Sequence, residues 1–584
     1  MTADSLLERV LYVDLSERRY SVQRRPELFQ DALGGTGVAI RLLQEECPAG
    51  ADPLGPENPM IMAVGPLVGL YPLASKTVAM FKSPLTGNLG ESHAGGRSAV
   101  ALRMAGYGAL VVRGASKLPV YLVIDEQGVS FRDASALWGV RSSYTVGSVL
   151  RDREPGTGLR SIMRIGRAGE RQVRYACVIT ETYRHFGRLG MGAVWGSKGL
   201  KALVIRGKQS LPVADRRAYR RAYDAVYDAA TKSSLMQKYH ELGTAMNVAP
   251  LNELGGLPTR NLQTARFEGA DAISGERLAE EYLGRRVACA HCPVACIHLA
   301  TLRTAYPNEP YFYKTQLVGY DHEPIFAAGT MLGLDNVNGL LRLLDEIEIL
   351  GLDAMSAGVS LAWATEALER GLISLEETDG VPLAFGDAQS YVAAAQRIVS
   401  QPTAFYSALA QGVEHAASVY GGADAALAFG GNEMPGYHTG PGCHVGWLAG
   451  ARHSHLDNAG YSVDLKLAQS GASMTPTELA EALLREERWR QVLTSLVVCL
   501  FARNVYDPQT VVDTLATVGH ACTADDLQRM GAEILQAKYA FKEREGFRME
   551  DLRIPERISE TPSPLGQVGP AYVREALAAY RQGL

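Results

Sequence analysis

Cys289-Ala-His-Cys292-Pro-Val-Ala-Cys296 is the most informative segment of this sequence. Three of the eight cysteines fall within it, with the spacing C-x2-C-x3-C. This spacing lets three thiolates converge on one face of an iron–sulfur cubane, and a [4Fe–4S] cluster then needs a fourth cysteine from elsewhere. The alternatives are a zinc knuckle, which more often pairs two C-x2-C units, and reduced cysteines that cluster by coincidence. No second pair follows, so the motif predicts an iron–sulfur site.

Length and composition are those of a large globular protein. The chain has 584 residues, too many for one core, and about three or four domains are expected. Hydrophobic residues make up 47% and charged residues 21%, which is ordinary for such proteins. The net charge of −5 argues against nucleic acid as a main partner.

The N-terminal and apolar segments predict a cytoplasmic protein. Residues 1–9 have neither the basic nor the apolar region of a secretory signal. The most apolar segment, residues 59–81, is interrupted by Pro66, Pro72 and Lys76, so no membrane span is expected. In a reducing compartment the cysteines are expected to be thiols or metal ligands rather than disulfides.

Two glycine-rich loops stand out in the first third of the chain, which reads as β-rich. Residues 10–22 predict a hairpin. The first loop, residues 82–97, combines glycines, hydroxyls and cations, a composition that cradles phosphates. The alternative is a tight β-connection with incidental polarity. The second loop, residues 183–198, has the same character, so the pair predicts a ligand with two phosphates or two similar ligands.

These patterns predict an α+β fold with three domains. The expected domains are a β-rich domain over 1–207, a helical domain with the cysteine motif over 208–425, and a mainly helical domain over 426–584. A helix is predicted to end at Leu350, before Gly351. The capping box Thr475-Pro-Thr-Glu478 predicts the start of a helix that carries Cys499 near its end.

Several of these segments, in the same order, resemble the aldehyde:ferredoxin oxidoreductase family of tungsten enzymes. The resemblance covers almost the whole chain and is most specific in the cysteine motif and in Lys82–Gly87, Gly95-Gly96, Ala105–Gly108 and Gly187–Lys198. It implies a β-rich base on which two helical domains close. It also implies a tungsten bis-pterin cofactor, a Mg²⁺ that links the two pterin phosphates, and a [4Fe–4S] cluster that takes electrons from the metal.

The resemblance implies cofactor contacts in both loops and in two later motifs. The positions are Lys76, His93, Gly95, Arg184, His185, Gly187, Glu348, Leu352, Asp353, Thr494 and Leu500. The implied cluster ligands are Cys289, Cys292, Cys296 and Cys499. Relatives often have Arg in place of Lys76, and Asp in place of Glu348. In the second pterin motif the acid is replaced by Thr494, whose hydroxyl supplies no charge.

Three catalytic residues are also implied by the resemblance. Glu323 would take a proton from water, while His455 and Tyr437 would donate hydrogen bonds to the substrate oxygen. Without the resemblance, Glu323 reads as a solvated loop carboxylate and each histidine as a structural residue. His453 remains an alternative to His455, because the segment between Tyr437 and His455 is shorter than in relatives.

The implied reaction is the oxidation of an aldehyde by water to a carboxylic acid, with acid reduction as the reverse. Electrons would pass through the cluster to a ferredoxin or a polyferredoxin-like small subunit, and onward to NAD through an FAD/NAD-binding subunit. The chain is most similar to bacterial members that form such hetero-oligomers. In some archaeal relatives an E-x-x-H segment bridges two subunits through a metal. The matching positions here are Arg342 and Asp345, and arginine is not a metal ligand.

Two other functions remain open at this point. One is a reductase subunit of a related branch that acts on aromatic acyl-CoA. The other is a tungsten-free iron–sulfur subunit with an electron-transfer or scaffold role. The residues do not separate tungsten from molybdenum, and they do not identify the preferred aldehyde.

Overall fold

The computed structural model describes residues 6–306 and 308–584. The strands are β1 (Arg9–Asp14), β2 (Arg19–Arg24), β3 (Met60–Ala63), β4 (Thr77–Lys82), β5 (Leu89–Ala94), β6 (Ala109–Arg113), β7 (Val120–Asp125), β8 (Gly128–Asp133), β9 (Leu159–Ile165), β10 (Val178–Thr180), β11 (His185–Phe186), β12 (Leu200–Gly207), β13 (Leu283–Val287), β14 (Ile297–Tyr306), β15 (Glu309–Tyr320), β16 (Ala428–Phe429) and β17 (Asn432–Glu433).

Helices make up most of the remaining regular structure. The α-helices are Pro26–Ala32, Gly35–Glu46, Ser98–Met104, Ser143–Arg153, Arg167–Glu170, Met191–Ser197, Arg216–Lys232, Ser234–Leu242, Val248–Leu254, Gly275–Glu281, His322–Ala328, Val337–Leu350, Ala354–Glu369, Ala388–Ser400, Ala404–Leu409, Val413–Tyr420, Pro441–Ala449, His455–Asn458, Gly460–Ser470, Pro476–Ser495, Pro508–Thr517, Ala524–Arg544, Arg557–Glu560 and Pro570–Gly583. Short 3₁₀ turns are Ser135–Leu137, Gly243–Asn247, Ala270–Ile273, Thr330–Leu332, Ala423–Ala425, Leu500–Ala502 and Met549–Asp551.

Two six-stranded sheets form the β-rich base. The first has the order β2-β1-β6-β3-β4-β5 and the second the order β11-β10-β9-β12-β7-β8. In the first sheet, β1 pairs antiparallel with β2 as the predicted hairpin and parallel with β6. All residues of β3 and β4 are buried, because the helix Gly35–Glu46 packs against them.

The two glycine-rich loops lie side by side because each supplies an edge strand. β5 belongs to the first loop and ends one sheet, while β11 belongs to the second loop and ends the other sheet. β5 and β11 contact each other. The two sheets therefore bring both candidate phosphate loops to one place, although they are far apart in sequence.

Two features differ from the predicted helical regions. The segment 283–320 is a three-stranded antiparallel sheet, β13-β14-β15. Its outer ends are exposed on both faces, so it lacks the apolar alternation that would have revealed it. In addition, the helix Pro476–Ser495 ends before Cys499. Val497 has a φ of 55° and reverses the chain, so Cys499 lies on the following turn.

One hydrophobic core connects the base with the helices. It extends from Leu7 in the β-rich region to Tyr580 in the last helix. The domain limits at 207 and 425 stay a prediction, since the core runs across both. Among the residues that the model describes, no helix is both long and apolar enough to cross a membrane.

Candidate active site

The cysteine loop and Cys499 are held by the same backbone segment of the base. Leu73 N–H donates to the carbonyl of His291 at 3.1 Å, and Cys499 N–H donates to the carbonyl of Leu73 at 2.8 Å. Ala290 N–H donates to Gly96 at 2.8 Å. These bonds bring Cys499 to the loop that carries Cys289, Cys292 and Cys296, and all four are partly buried.

The four thiols lie close enough to influence each other electrostatically. Burial raises the pKa of Cys292 to about 12, and the neighbouring Cys289 and Cys499 raise it further. Burial also raises the pKa of Cys296, while Arg184 lowers it. With raised pKa values, these thiols are unfavourable to ionise in the absence of a metal. A bound metal centre stabilises the thiolates because it binds the deprotonated form.

The number of cysteines bears on the choice between a cluster and a zinc ion. A [4Fe–4S] cluster needs one thiolate at each of four iron corners, and the loop together with Cys499 supplies four. A zinc site more often pairs two C-x2-C units, and the sequence has no second pair. The four cysteines thus match the ligand number of the cluster.

A cavity begins beside Cys499 and reaches into the helical regions. Eight residues predicted from the sequence line it: Lys76, His93, Gly187, Glu323, Tyr437, His455, Cys499 and Leu500. The other wall residues come from all three predicted domains. The predicted catalytic residues and one predicted cluster ligand therefore share one cavity.

Glu323 is one of three carboxylates that line this cavity and lies on the first turn of the helix His322–Ala328. Its Oε2 accepts a hydrogen bond from Gly436 N–H at 2.9 Å, and its Oε1 lies 3.4 Å from His455 Nε2. Burial raises the pKa of Glu323 to about 7, although the Gly436 N–H and Arg188 lower it. Both protonation states are populated near neutral pH, which suits a general base.

His455 faces Glu323, whereas His453 points away from the cavity. Burial lowers the pKa of His455 well below its ordinary value, and Arg188 adds to this effect. The ring is therefore neutral and keeps one N–H to donate. His453 is bonded through Nδ1 to the carbonyl of Trp447 at 2.9 Å, and Lys542 Nζ donates to its Nε2 at 2.9 Å.

Tyr437 completes this group as a buried hydroxyl donor. Its ring stacks on Tyr461, with 4.3 Å between the centroids, and lies 5.5 Å from the His455 ring. Burial raises the pKa of Tyr437 well above its ordinary value, and Glu323 raises it further. The phenol therefore stays protonated at physiological pH.

In each loop a histidine is paired with a glutamate. In the first loop, His93 Nε2 lies 2.7 Å from Glu91 Oε1. In the second loop, His185 Nε2 lies 2.5 Å from Glu348 Oε2. Arg184, beside His185, forms an ion pair with Asp321.

Some predicted cofactor residues do not line the cavity. Asp353 caps the helix Ala354–Glu369 and is 3.3 Å from Arg188 Nε. Leu352 is buried, and its carbonyl accepts from the Cys177 thiol at 3.5 Å. Thr494 Oγ1 donates within its own helix, to the carbonyl of Arg490 at 2.7 Å. The Thr494 hydroxyl thus already donates a hydrogen bond within its own helix, and Thr494 does not line the cavity.

The walls have unfilled polar groups and one open glycine that suit a phosphorylated pterin. On the wall, Arg188 Nη1 and Asn432 Oδ1 are buried without a hydrogen-bond partner among the described residues. Glu348 Oε1 is also unpartnered, but Glu348 does not line the cavity. A Cβ at Gly187 would meet nothing closer than 3.9 Å, so packing within the chain does not require glycine there. By contrast, a Cβ at Gly95 would come within 2.8 Å of the Cys289 sulfur. These residues fit a ligand that approaches the backbone at Gly187.

Comparison with known proteins identifies the family. The model of the aldehyde ferredoxin oxidoreductase N-terminal domain matches residues 10–207. The model of domains 2 and 3 of the same family matches residues 221–582. This chain belongs to the aldehyde ferredoxin oxidoreductase family. The resemblance predicted from the sequence is confirmed.

Curated relatives of this aldehyde ferredoxin oxidoreductase family member are tungsten enzymes. The chain is 31% identical over 574 residues to the tungsten-containing aldehyde ferredoxin oxidoreductase of Pyrococcus furiosus, covering 96% of this chain and 92% of the relative. It is 32% identical, with the same coverage, to the enzyme of that name from Thermococcus kodakarensis. The chain is therefore an oxidoreductase, and its family implies a tungstopterin cofactor.

A solved structure supports the fold of the family member. The active site complex BamBC of benzoyl coenzyme A reductase, solved with 1,5-dienoyl-CoA, contains a chain that matches with a TM-score of 0.83. The match covers 99% of this chain and 94% of that chain at 21% identity. At this identity the likeness concerns the fold alone, and the predicted α+β class is confirmed.

Several wall residues of this family member were not predicted from the sequence. Arg188, Glu91, Arg452, Tyr239 and Tyr461 all line the cavity. Arg188 lies inside the predicted second loop, so its position next to Gly187 was an available signal. Glu91 has a similar signal, since it lies two residues from His93. Tyr239 and Tyr461 come from helices and Arg452 from a turn between two helices, and the sequence does not reveal which of their surfaces face the cavity.

Proposed function

We propose that the chain oxidises aldehydes to carboxylic acids with a tungsten bis-pterin cofactor in the cavity and a [4Fe–4S] cluster on the four cysteines. The observation that carries this proposal is the pair Glu323–His455, which are 3.4 Å apart in the cavity that Cys499 also lines. Oxidation of a hydrated aldehyde needs an acid–base pair and an electron acceptor close to each other. This cavity has the first and lies beside the proposed site of the second.

The cofactor residues divide into phosphate and pterin contacts. Lys76 and the second loop at Arg184 and Gly187 would hold the pterin phosphates, because cations and open backbone suit phosphate oxygens. His93, whose pKa burial lowers to about 4, would contribute as a neutral ring at the same phosphates. Glu348 has a free Oε1 that would accept from a pterin amine. A Mg²⁺ would rely on the two phosphates for most of its ligands, since the described side chains form no ion site of their own.

When bound, the metal supplies a Lewis-acidic centre that polarises the carbonyl and accepts two electrons. Glu323 takes a proton from the attacking water in its ionised form. His455, which is neutral, and Tyr437, which stays protonated, donate hydrogen bonds to the oxygen that gains negative charge. Aldehyde and water together give a carboxylic acid, two electrons and two protons.

A cluster held by Cys289, Cys292, Cys296 and Cys499 would supply one-electron transfer to a protein acceptor. The named relatives are ferredoxin oxidoreductases, which supports a ferredoxin or polyferredoxin-like acceptor in the cytoplasm. A further FAD/NAD-binding subunit would pass the electrons to NAD in a hetero-oligomer. With a strong reductant the same residues would work in reverse and reduce an acid.

A second candidate is reduction of an aromatic acyl-CoA. The BamBC structure belongs to such an enzyme, and stacked aromatic pairs line the cavity of this chain. The pairs are Tyr437–Tyr461 at 4.3 Å and Tyr239–Phe501 at 4.5 Å between centroids. Such walls suit a flat ring, whether it belongs to an aromatic aldehyde or to an acyl-CoA. A role as a tungsten-free scaffold is disfavoured by Glu323 and His455, which a scaffold would not need.

Replacing the base tests the proposal. In Glu323→Gln we expect aldehyde oxidation, followed with a viologen dye, to fall about 10²- to 10⁴-fold with unchanged tungsten and iron. Glu369→Gln, at the far end of another helix, is the matched control and should keep its rate. In the unaltered enzyme kcat/KM should fall below pH about 7, because a raised pKa protonates Glu323 there.

Two results would contradict this assignment. Full activity of the metal-replete Glu323→Gln variant would remove the role of the carboxylate. Turnover of benzoyl-CoA with no turnover of any aldehyde would favour the reductase instead.

A further inference from the structure

The outer ends of β14 and β15 form an exposed aromatic projection. We define the distal hairpin as residues 303–306 and 311–315, all of which are exposed. It carries four large aromatic residues: Tyr306 is 50% exposed, Tyr311 90%, Phe312 63% and Tyr313 49%. Aromatic residues that cluster on a surface are typical of protein interaction sites.

Both faces of the distal hairpin combine an aromatic ring with a cation. Arg303 pairs with Thr315 and Ala305 with Tyr313, so Arg303 and Tyr313 share a face, and the guanidinium lies 4.9 Å from the Tyr313 ring centroid. Phe312 and Lys314 point to the opposite face by strand alternation. A partner protein can therefore contact an aromatic ring and a cation on either face of the distal hairpin.

The three-stranded sheet is basic, although the protein is acidic. Its charged residues are Arg285, Arg286, Arg303, Lys314 and Glu309, all exposed. The four cations and one carboxylate contrast with the net charge of −5 for the whole chain. An acidic partner would be attracted to this surface and repelled by much of the remaining surface.

The sheet also frames the cysteine motif. β13 ends at Val287, just before Cys289, and β14 begins at Ile297, directly after Cys296. A protein that binds along this sheet is therefore brought to the cysteine loop. β14 has ten residues, so at about 3.3 Å per residue its outer end lies about 33 Å from its start. The distal hairpin would therefore contact the side of the partner that is far from the cysteine loop.

We propose that β13–β15, including the distal hairpin, is the docking surface for an acidic iron–sulfur electron carrier of the ferredoxin class. This inference rests on the proposed function. Each aldehyde yields two electrons, so two oxidised carrier clusters each gain one electron, and the protons pass to water. Aromatic side chains supply the contact area, and the cations orient the carrier toward the cysteines.

Two variants of the full chain test the docking surface. One replaces aromatic residues, Tyr311→Ser with Phe312→Ser, and the other reverses charge, Arg303→Glu with Lys314→Glu. The matched controls are Leu118→Ser with Leu375→Ser, which are 61% and 52% exposed, and Lys117→Glu with Lys466→Glu, both exposed. The probe is a recombinant 2[4Fe–4S] ferredoxin of net negative charge.

Binding is measured first, by calorimetry without aldehyde. We expect each docking variant to raise the Kd for the ferredoxin at least about 10-fold, and the controls to leave it unchanged. The charge-reversal variant should also lose most of the dependence of the Kd on salt. Unchanged affinity in both docking variants would overturn the proposal, as would equal losses in the controls.

Electron transfer is measured next, with aldehyde and either the ferredoxin or a viologen dye as acceptor. The docking variants should lose at least about 10-fold in ferredoxin-linked kcat/KM and keep the dye-linked rate. Sedimentation of the chain alone tests whether a second copy of the chain occupies this surface instead. If the chain is a dimer that only the docking variants dissociate, and if their affinity for ferredoxin is intact, the surface belongs to a second copy. A wrong proposed function gives a different result from a wrong docking surface. In that case the unaltered chain shows no dye-linked turnover, while calorimetry still detects ferredoxin binding.

Discussion

The two glycine-rich loops are built alike but fastened differently. Each carries a histidine bonded to a glutamate, His93 to Glu91 and His185 to Glu348. In the first loop Glu91 is 2% exposed and also pairs with Lys538, which is 1% exposed. In the second loop the side chains of His185 and Glu348 are 30% and 15% exposed, and Glu348 retains an unpartnered oxygen.

The difference separates a deeply buried pair with a lysine partner from a more exposed pair with an unpartnered carboxylate oxygen. Lys538 belongs to the helix Ala524–Arg544 and Glu348 to the helix Val337–Leu350. Each loop is therefore fastened to a different helical region. The glutamate of the first pair is also held by a buried lysine, whereas the glutamate of the second pair retains an unpartnered oxygen. We expect the first pair to contribute mainly stability and the second mainly cofactor binding.

Breaking the buried pair should have the largest effect on stability. In Glu91→Gln, Lys538 loses its partner inside the core, and we expect a loss of about 3–5 kcal/mol, measured as the shift of the urea midpoint. The matched change Glu348→Gln should cost about 1–2 kcal/mol, because its pair is nearer to solvent. Replacing both buried partners, Glu91→Leu with Lys538→Met, should restore most of the loss. Equal losses for Glu91→Gln and Glu348→Gln would remove the distinction.

Acid should weaken the first loop through His93. Burial and Arg452 lower the pKa of His93 to about 4, even though Glu91 raises it. The unfolded histidine titrates near 6.5, so the unfolded state binds more protons between the two values. The stability from neutral His93 is therefore present above pH about 6.5 and is lost as the pH falls toward about 4, a change of about 3 kcal/mol. His93→Asn should flatten this part of the urea midpoint profile, and an unchanged slope would contradict the account.

Changes in the His185–Glu348 pair should lower the free energy of unfolding least, and they should weaken cofactor binding more than changes in the His93–Glu91 pair. A double-mutant cycle with His185→Asn and Glu348→Gln should give a coupling of about 1 kcal/mol in unfolding. Burial alone would raise the pKa of Glu348, but His185 and Arg164 outweigh it and lower it, so this stability is lost as the pH falls below the ordinary value. Relative to its own unfolding midpoint, each of these variants should release pterin at lower urea than Glu91→Gln does. Retention of pterin by both would assign the pair to structure alone.

The predictions from sequence succeeded where the signal was local. The hairpin at residues 10–22 and the helix that ends before Gly351 depend on neighbouring residues, and the structure has both. The iron–sulfur site stays a prediction. The loop compositions indicated a ligand surface at both loops. The resemblance then pointed to Glu323 and His455, and their place in one cavity is a finding of the structure.

Other features depend on contacts between distant segments. Nothing near Glu91 in the sequence indicates Lys538, because a buried lysine on a helix looks like any surface lysine until the packing is known. The sheet at 283–320 was missed because its outer end is exposed on both faces. Cys499 was expected on a helix, and the turn at Val497 has no glycine or proline to mark it.

The measurement that tests the central claim most directly is the metal content of the anaerobically purified chain, expressed with tungstate and iron. The account predicts one tungsten and about four irons per chain, with iron lost and tungsten reduced less in Cys292→Ser. Iron without tungsten or molybdenum would contradict the enzyme assignment and leave an electron-transfer or scaffold role.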